Sequence, residues 1–116
     1  MRRNRSDFVK KVCYAVMLQS QLGPRAGELV LLEDTQVVSG TFSLLGHRNR
    51  FSGSVLQHGK YLISGDLRSS VDKTPYDAIF TIQNGRLSGG LISRHGCWDL
   101  TGIQTVPIVP AAGSED

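Results

Sequence analysis

The stretch "RHGCWD" at residues 94–99 gathers residue types that bind metals, with His95, Cys97 and Asp99 alternating along it. Alternate residues of a strand point to one side, yet they stand about 7 Å apart. His95 falls in a turn, and a zinc site would need ligands from elsewhere in the chain. No C-x-x-C or H-x-x-x-H spacing accompanies it, so no metal and no cofactor are expected. His47 and His58 also fall in predicted turns, where an imidazole is solvated. No G-x-S-x-G, phosphate loop or dinucleotide fingerprint occurs. The glycine-rich "NGRLSGG" at 84–90 follows a hairpin turn, so it offers no helix N-terminus to a phosphate. No convergent set of ionisable groups emerges. The chain reads as non-enzymatic, with no catalytic residue to name.

Charge is the second chemical signal. The chain of 116 residues carries a formal net charge of +3. Residues 1–11 hold Arg2, Arg3, Arg5, Lys10 and Lys11 against Asp7, a net +4, so the other 105 residues sum to −1. Such an arm suits nucleic acid or anionic lipid. A sheet that reads nucleic acid also needs exposed aromatics between its cations. Here the aromatics fall on the apolar face, so nucleic acid is not the expected partner. The apolar run "VCYAVML" is far shorter than the roughly 20 residues of a membrane helix. It is flanked by Lys10, Lys11 and Gln19, with no A-x-A site after it, so export is not expected. Two cysteines, Cys13 and Cys97, make no disulfide framework, and a cytoplasmic setting is expected.

These residues must be positioned by a single small domain. With 40% hydrophobic and 20% charged residues, the chain can build a core without staples. "SDFVKKVCYAVMLQSQLGP" predicts a helix over 7–21. Ser6 serves as N-cap, Asp7 lies in the first turn, and Phe8, Val12, Ala15 and Leu22 follow helical spacing. Gly23–Pro24 reads as its stop. Beyond it the period falls to 2, and seven strands are expected near 28–33, 36–45, 50–56, 60–68, 76–83, 86–94 and 97–105. The expected fold class is α+β: an N-terminal amphipathic helix packed on, or capping, a strongly curved antiparallel meander of about seven strands, barrel-like or half-barrel. The expected organisation is a basic arm at 1–6, the domain at 7–106 and a flexible tail at 107–116.

A recurrent phrase, apolar–small–glycine, appears as "VSGTF", "FSGSV", "ISGDL", "LSGGL" and "LTGIQ". The "NG" turn at 84–85 pairs Ile82 with Leu87 and Phe80 with Gly89. A "QHG" loop at 57–59 pairs Val55 with Tyr61 and Phe51 with Gly65. A "GHRN" loop at 46–49 would set Phe42 opposite Gly53, and an "HG" turn at 95–96 would set Leu91 opposite Leu100. Gly40, Gly53, Gly65, Gly89 and Gly102 then share the apolar face, three of them opposite a phenylalanine. A ring over a cross-strand glycine restores packing and lets the sheet coil.

Two functions follow. The first is a binding or adaptor module acting through protein contacts and self-associating, with outward Ile79, Ile92 and Ile103 as its interface and the final strand free to pair edge to edge. The second is a small apolar-ligand binder with a calycin-like pocket lined by Phe42, Phe51, Tyr61, Phe80 and Trp98 around Gly53, Gly65 and Gly89. A third and weaker reading is a nucleic-acid accessory that uses Arg2, Arg3, Arg5, Lys10 and Lys11.

Overall fold

In the computed structural model, which describes residues 9–44, 46–57, 59–69, 71–105 and 109–110, the segment expected to be helical is a strand. β1 (Val9–Ser20) buries Val12, Tyr14, Val16 and Leu18, while Lys11, Ala15 and Gln19 face out. That is period 2, not 3.6. Three valines, a cysteine and a tyrosine are poor helix formers and good strand formers. The stretch satisfied helical spacing only by counting Ala15 and Leu22 as core, and both are exposed. The α+β expectation is therefore corrected: among the described residues there is no helix, and the fold is all-β. Ser6, Asp7 and Phe8, the proposed helix start, lie outside the described residues, as do Arg2, Arg3 and Arg5.

Gly23–Pro24, expected to end a helix, opens β2 (Gly23–Asp34). β1 and β2 form a hairpin from Val9↔Asp34 to Ser20↔Gly23, turning through Gln21 and Leu22. The Ser20 hydroxyl donates to the Gly23 carbonyl at 2.8 Å and accepts from the Leu22 amide at 3.2 Å. The meander continues through β3 (Val37–Leu44), β4 (His47–Gln57), β5 (Lys60–Arg68), β6 (Lys73–Gln83), β7 (Arg86–Ser93) and β8 (Gly96–Gln104). β8 then pairs with β1 from Leu18↔Leu100 to Tyr14↔Gln104, closing an eight-stranded antiparallel barrel. A two-residue β9 (Val109–Pro110) lies beside Lys11 and Lys10 of β1. Closure supplies what a helix would have had to supply internally, a partner for the backbone groups on both sides of β1.

Most registers follow the turn chemistry. Ile82↔Leu87, Phe80↔Gly89, Val55↔Tyr61 and Phe51↔Gly65 all form as expected. Two do not. Phe42 faces Asn49, not Gly53, because β3 ends at Leu44 and β4 already begins at His47. Asn49, expected in the loop, is instead 4% exposed inside the barrel. Its Nδ2 donates to the Phe42 carbonyl at 3.1 Å, and its Oδ1 accepts from the Arg68 amide at 3.1 Å. That clasp joins three strands and satisfies a buried amide that would otherwise be costly. Leu91 faces Trp98, not Leu100, because the last hairpin turns at Arg94–His95.

Eight strands leave an interior that side chains can just fill. Phe42, Phe80, Leu29, Leu31, Ile63, Leu87, Leu91 and Leu100 are all within 2% of full burial. Phe51 lies between Gly40 and Gly65 on its two neighbouring strands. Gly40 has φ +153°, and a Cβ there would overlap the Val30 carbonyl oxygen, so the close approach of β2 and β3 requires glycine. The repeated glycines thus let the strands coil tightly around the rings.

Candidate functional site

The barrel has two unlike ends. At one end the strands turn at 35–36, 58–59 and 84–85. These turns are locked down by the strand next along: Val55 donates to the Gln36 carbonyl, Ile82 to Gly59 and Gln104 to Gly85 at 2.8–2.9 Å. Inside this end the Tyr61 hydroxyl donates to Glu33 Oε1 at 2.8 Å. Burial, with Glu33 beside it, pushes the Tyr61 phenol well above its ordinary range, and burial raises Tyr14 in the same way. Both phenols therefore stay protonated, and Tyr61 is the one that donates to Glu33.

The middle is a plug of rings. Tyr61 and Phe80 stack with centroids 5.6 Å apart, and Phe42 meets Tyr76 edge-on at 6.2 Å. Tyr76 is buried, its phenol pushed up chiefly by desolvation, and its hydroxyl has no hydrogen-bond partner among the described residues.

At the other end the turns at 21–22, 45–46, 69–72 and 94–95 stand around a cavity of about 290 Å³. Leu18, Leu44, Leu67 and Trp98 give it an apolar floor. Arg25, Arg68, His95, Ser20, Ser69, Thr74 and Ser93 form its rim, and among the described residues no carboxylate lines it. Arg25 faces Leu18 across the β1–β2 ladder and so shares its inward side. The seam between β1 and β8 stops at Leu18↔Leu100, so residues 96–99 are paired only with β7. Trp98 sits at this unzipped corner, half-buried. At the rim, Arg94 pairs with Asp72. The Lys73 amide, then Arg94, holds the Asp72 carboxyl below its usual range.

Of the residues expected to line a pocket, Phe42, Phe51, Tyr61 and Phe80 lie in the plug, and only Trp98 borders the cavity. Gly53, Gly65 and Gly89 abut neighbouring strands. A Cβ at Gly53 or Gly89 would overlap a carbonyl oxygen, and at Gly65 it would come within 2.7 Å of the Arg50 carbonyl oxygen. The furrow left by these missing side chains is occupied by backbone and rings. Arg25 was missed, because β2 was expected to begin near 28. Extending the parity of Leu29 and Leu31 back to Gly23 would have turned Arg25 inward.

On the outer wall, Ile79, Ile92 and Ile103 are exposed by 39%, 49% and 60%. Ile79 faces Gly90 and Ile92 faces Asp77, so these two lie on successive outward-facing rungs, with Ala78↔Leu91 between them. Ile103 lies two rungs further, level with Arg86 and Ala15. It borders a shallow outer groove of about 750 Å³ with Ala15, Met17 and Thr101. β8 has partners on both sides over residues 100–104, so edge pairing has no free edge there.

His95 lies in a turn, and Cys97 and Asp99 point outward from β8. Among the described residues no three His, Cys, Asp or Glu side chains converge as a metal site would require. Cys13 and Cys97 are free thiols. Lys10 and Lys11 are exposed at the start of β1. Among the described residues no helix is long and apolar enough to cross a membrane. Comparison with family models, curated proteins and solved structures gives no match.

Proposed function

We propose that this chain is a non-catalytic binding barrel that holds a small, largely apolar molecule in the cavity at its Trp98 end. The observation that carries this reading is the contrast within one interior. Rings and leucines fill the barrel elsewhere, yet about 290 Å³ remains open beneath four hairpins, floored by Leu18, Leu44, Leu67 and Trp98. Apolar, preformed concavities with a few polar rim groups are the usual form of small-molecule sites, and this volume lies at the small end of their range. The unzipped β1–β8 corner supplies a way in. Trp98 is the only tryptophan of the chain, so its emission reports occupancy.

The test is displacement of N-phenyl-1-naphthylamine, a neutral apolar dye, joined to native mass spectrometry of the purified chain. Saturable dye binding that quenches Trp98, with one dye per chain in the gas phase, is the expected result. Absence of saturable binding, or binding unchanged in Leu67→Glu, would remove the cavity from consideration.

Contact with another protein through the outer wall is a second reading, favoured by the exposure of Ile103 beside the shallow groove. It requires concentration-dependent assembly in sedimentation velocity that Ile103→Lys abolishes. A monomer at every concentration would leave no place for self-association.

A further inference from the structure

We infer that the ligand of the Trp98-end cavity carries a single anionic head, a carboxylate, and that Arg25 is its anchor. This rests on the reading of that cavity as the binding site and names the class of molecule it takes. Arg25 is on the inner side of β2, opposite Leu18, which is 1% exposed. Arg25 is half-buried as a residue, and its Nη1 donates a long, solvent-exposed hydrogen bond to the carbonyl of the adjacent Pro24 at 3.3 Å, so the guanidinium stands at the mouth. Among the described residues no carboxylate borders the cavity. The acids nearest in the fold are turned away or engaged. Glu28 and Asp99 are exposed on outward positions of β2 and β8, Asp66 is exposed on β5, and Asp72 is paired with Arg94.

A cation at the mouth of an apolar concavity offers a charged head group a partner just where the apolar body of a ligand would leave water. The guanidinium fork matches a carboxylate in two parallel hydrogen bonds. Arg68 on the same rim adds a second positive charge. The potential at the mouth is therefore positive, and it draws an anion toward the opening. The leucines and Trp98 below then take the apolar body. Without the apolar part the floor stays empty, and without the charge Arg25 stays unpaired, so the site fits an amphiphile with its head outward.

Isothermal titration calorimetry of the full chain with octanoate, 1-octanol and inorganic phosphate separates these contributions. Octanoate is expected to bind at least about tenfold more tightly than octanol, as a hydrogen-bonded charge pair implies. In Arg25→Gln that preference should shrink to less than about threefold while octanol affinity stays unchanged. Added salt should weaken octanoate binding to the unmodified chain and leave octanol alone, a readout that does not depend on the variant folding. Equal affinities for octanoate and octanol would overturn the anionic head and leave the cavity reading standing. Binding of neither would overturn both. Phosphate binding as tightly as octanoate would replace the amphiphile with a bare anion site.

Discussion

The two ends of this barrel solve the same problem in opposite ways. At the Glu33 end a buried polar group is matched: Tyr61 donates to Glu33, and three turns are hydrogen-bonded onto the following strands. At the Trp98 end Arg25 has no carboxylate beside it among the described residues, the seam between β1 and β8 stops short, and a cavity remains. Polar groups matched within the protein make an end rigid, whereas a cation left to solvent at the mouth of a cavity is open to a ligand. The ring plug between them isolates one end from the other. The difference teaches that a barrel of this size has little interior to spare, so a site is made by leaving one end incomplete.

Substitutions sharpen that contrast. The largest effect is expected in the plug, where Phe42→Ala should cost about 3–5 kcal/mol in urea-unfolding stability. Leu67→Ala, half-buried at the open end, should cost less than about 2 kcal/mol, because the cavity already gives its neighbours room. If Leu67→Ala cost as much as Phe42→Ala, the open end would be as tightly packed as the middle. Tyr61→Phe should cost about 1.5–3 kcal/mol, the loss of a hydrogen bond to a charged partner. That loss should appear in unfolding and leave ligand binding at the far end unchanged.

A pH titration probes the same asymmetry. The Tyr14, Tyr61 and Tyr76 phenols are raised in the folded chain, chiefly by burial. The folded state therefore holds protons that the unfolded chain releases near pH 10. Stability is fully present below about pH 10 and should fall as pH rises further. The urea midpoint followed from pH 8 to 11 checks this, and Tyr61→Phe should flatten the decline. The smallest effect is expected at Tyr76→Phe. Its hydroxyl is buried without a partner among the described residues, so removing it should be neutral or slightly stabilising. A loss above about 1 kcal/mol would mean that this hydroxyl is satisfied in solution.

The sequence made the strands after residue 28 legible, because period 2 and the "NG" turn are local signals. What it hid was the partnership of β1. Thr105 donates to the carbonyl of Cys13 across 92 positions, and no local pattern reports such a contact. Read alone, "VKKVCYAVMLQS" suits either period, and only closure against β2 and β8 selects the strand. Asn49 misled for a related reason, since an asparagine after "GHR" resembles a turn until the buried clasp to Phe42 and Arg68 is seen. The candidate site turns on the first of these, the partnership of β1. Arg25 turns inward only once β2 starts at Gly23, and β2 starts there because β1 is its hairpin partner.

The central claim is that the Trp98 end takes a ligand while the Glu33 end does not. The most direct measurement is a ¹H–¹⁵N correlation spectrum of the labelled chain during titration with octanoate. The account expects saturable shifts at the Trp98 indole and at the amides of Leu18, Arg25, Leu67 and Ser93, with Glu33 and Tyr61 unmoved. Shifts centred on Ile103 and the outer wall, or spread evenly over both ends, would contradict it.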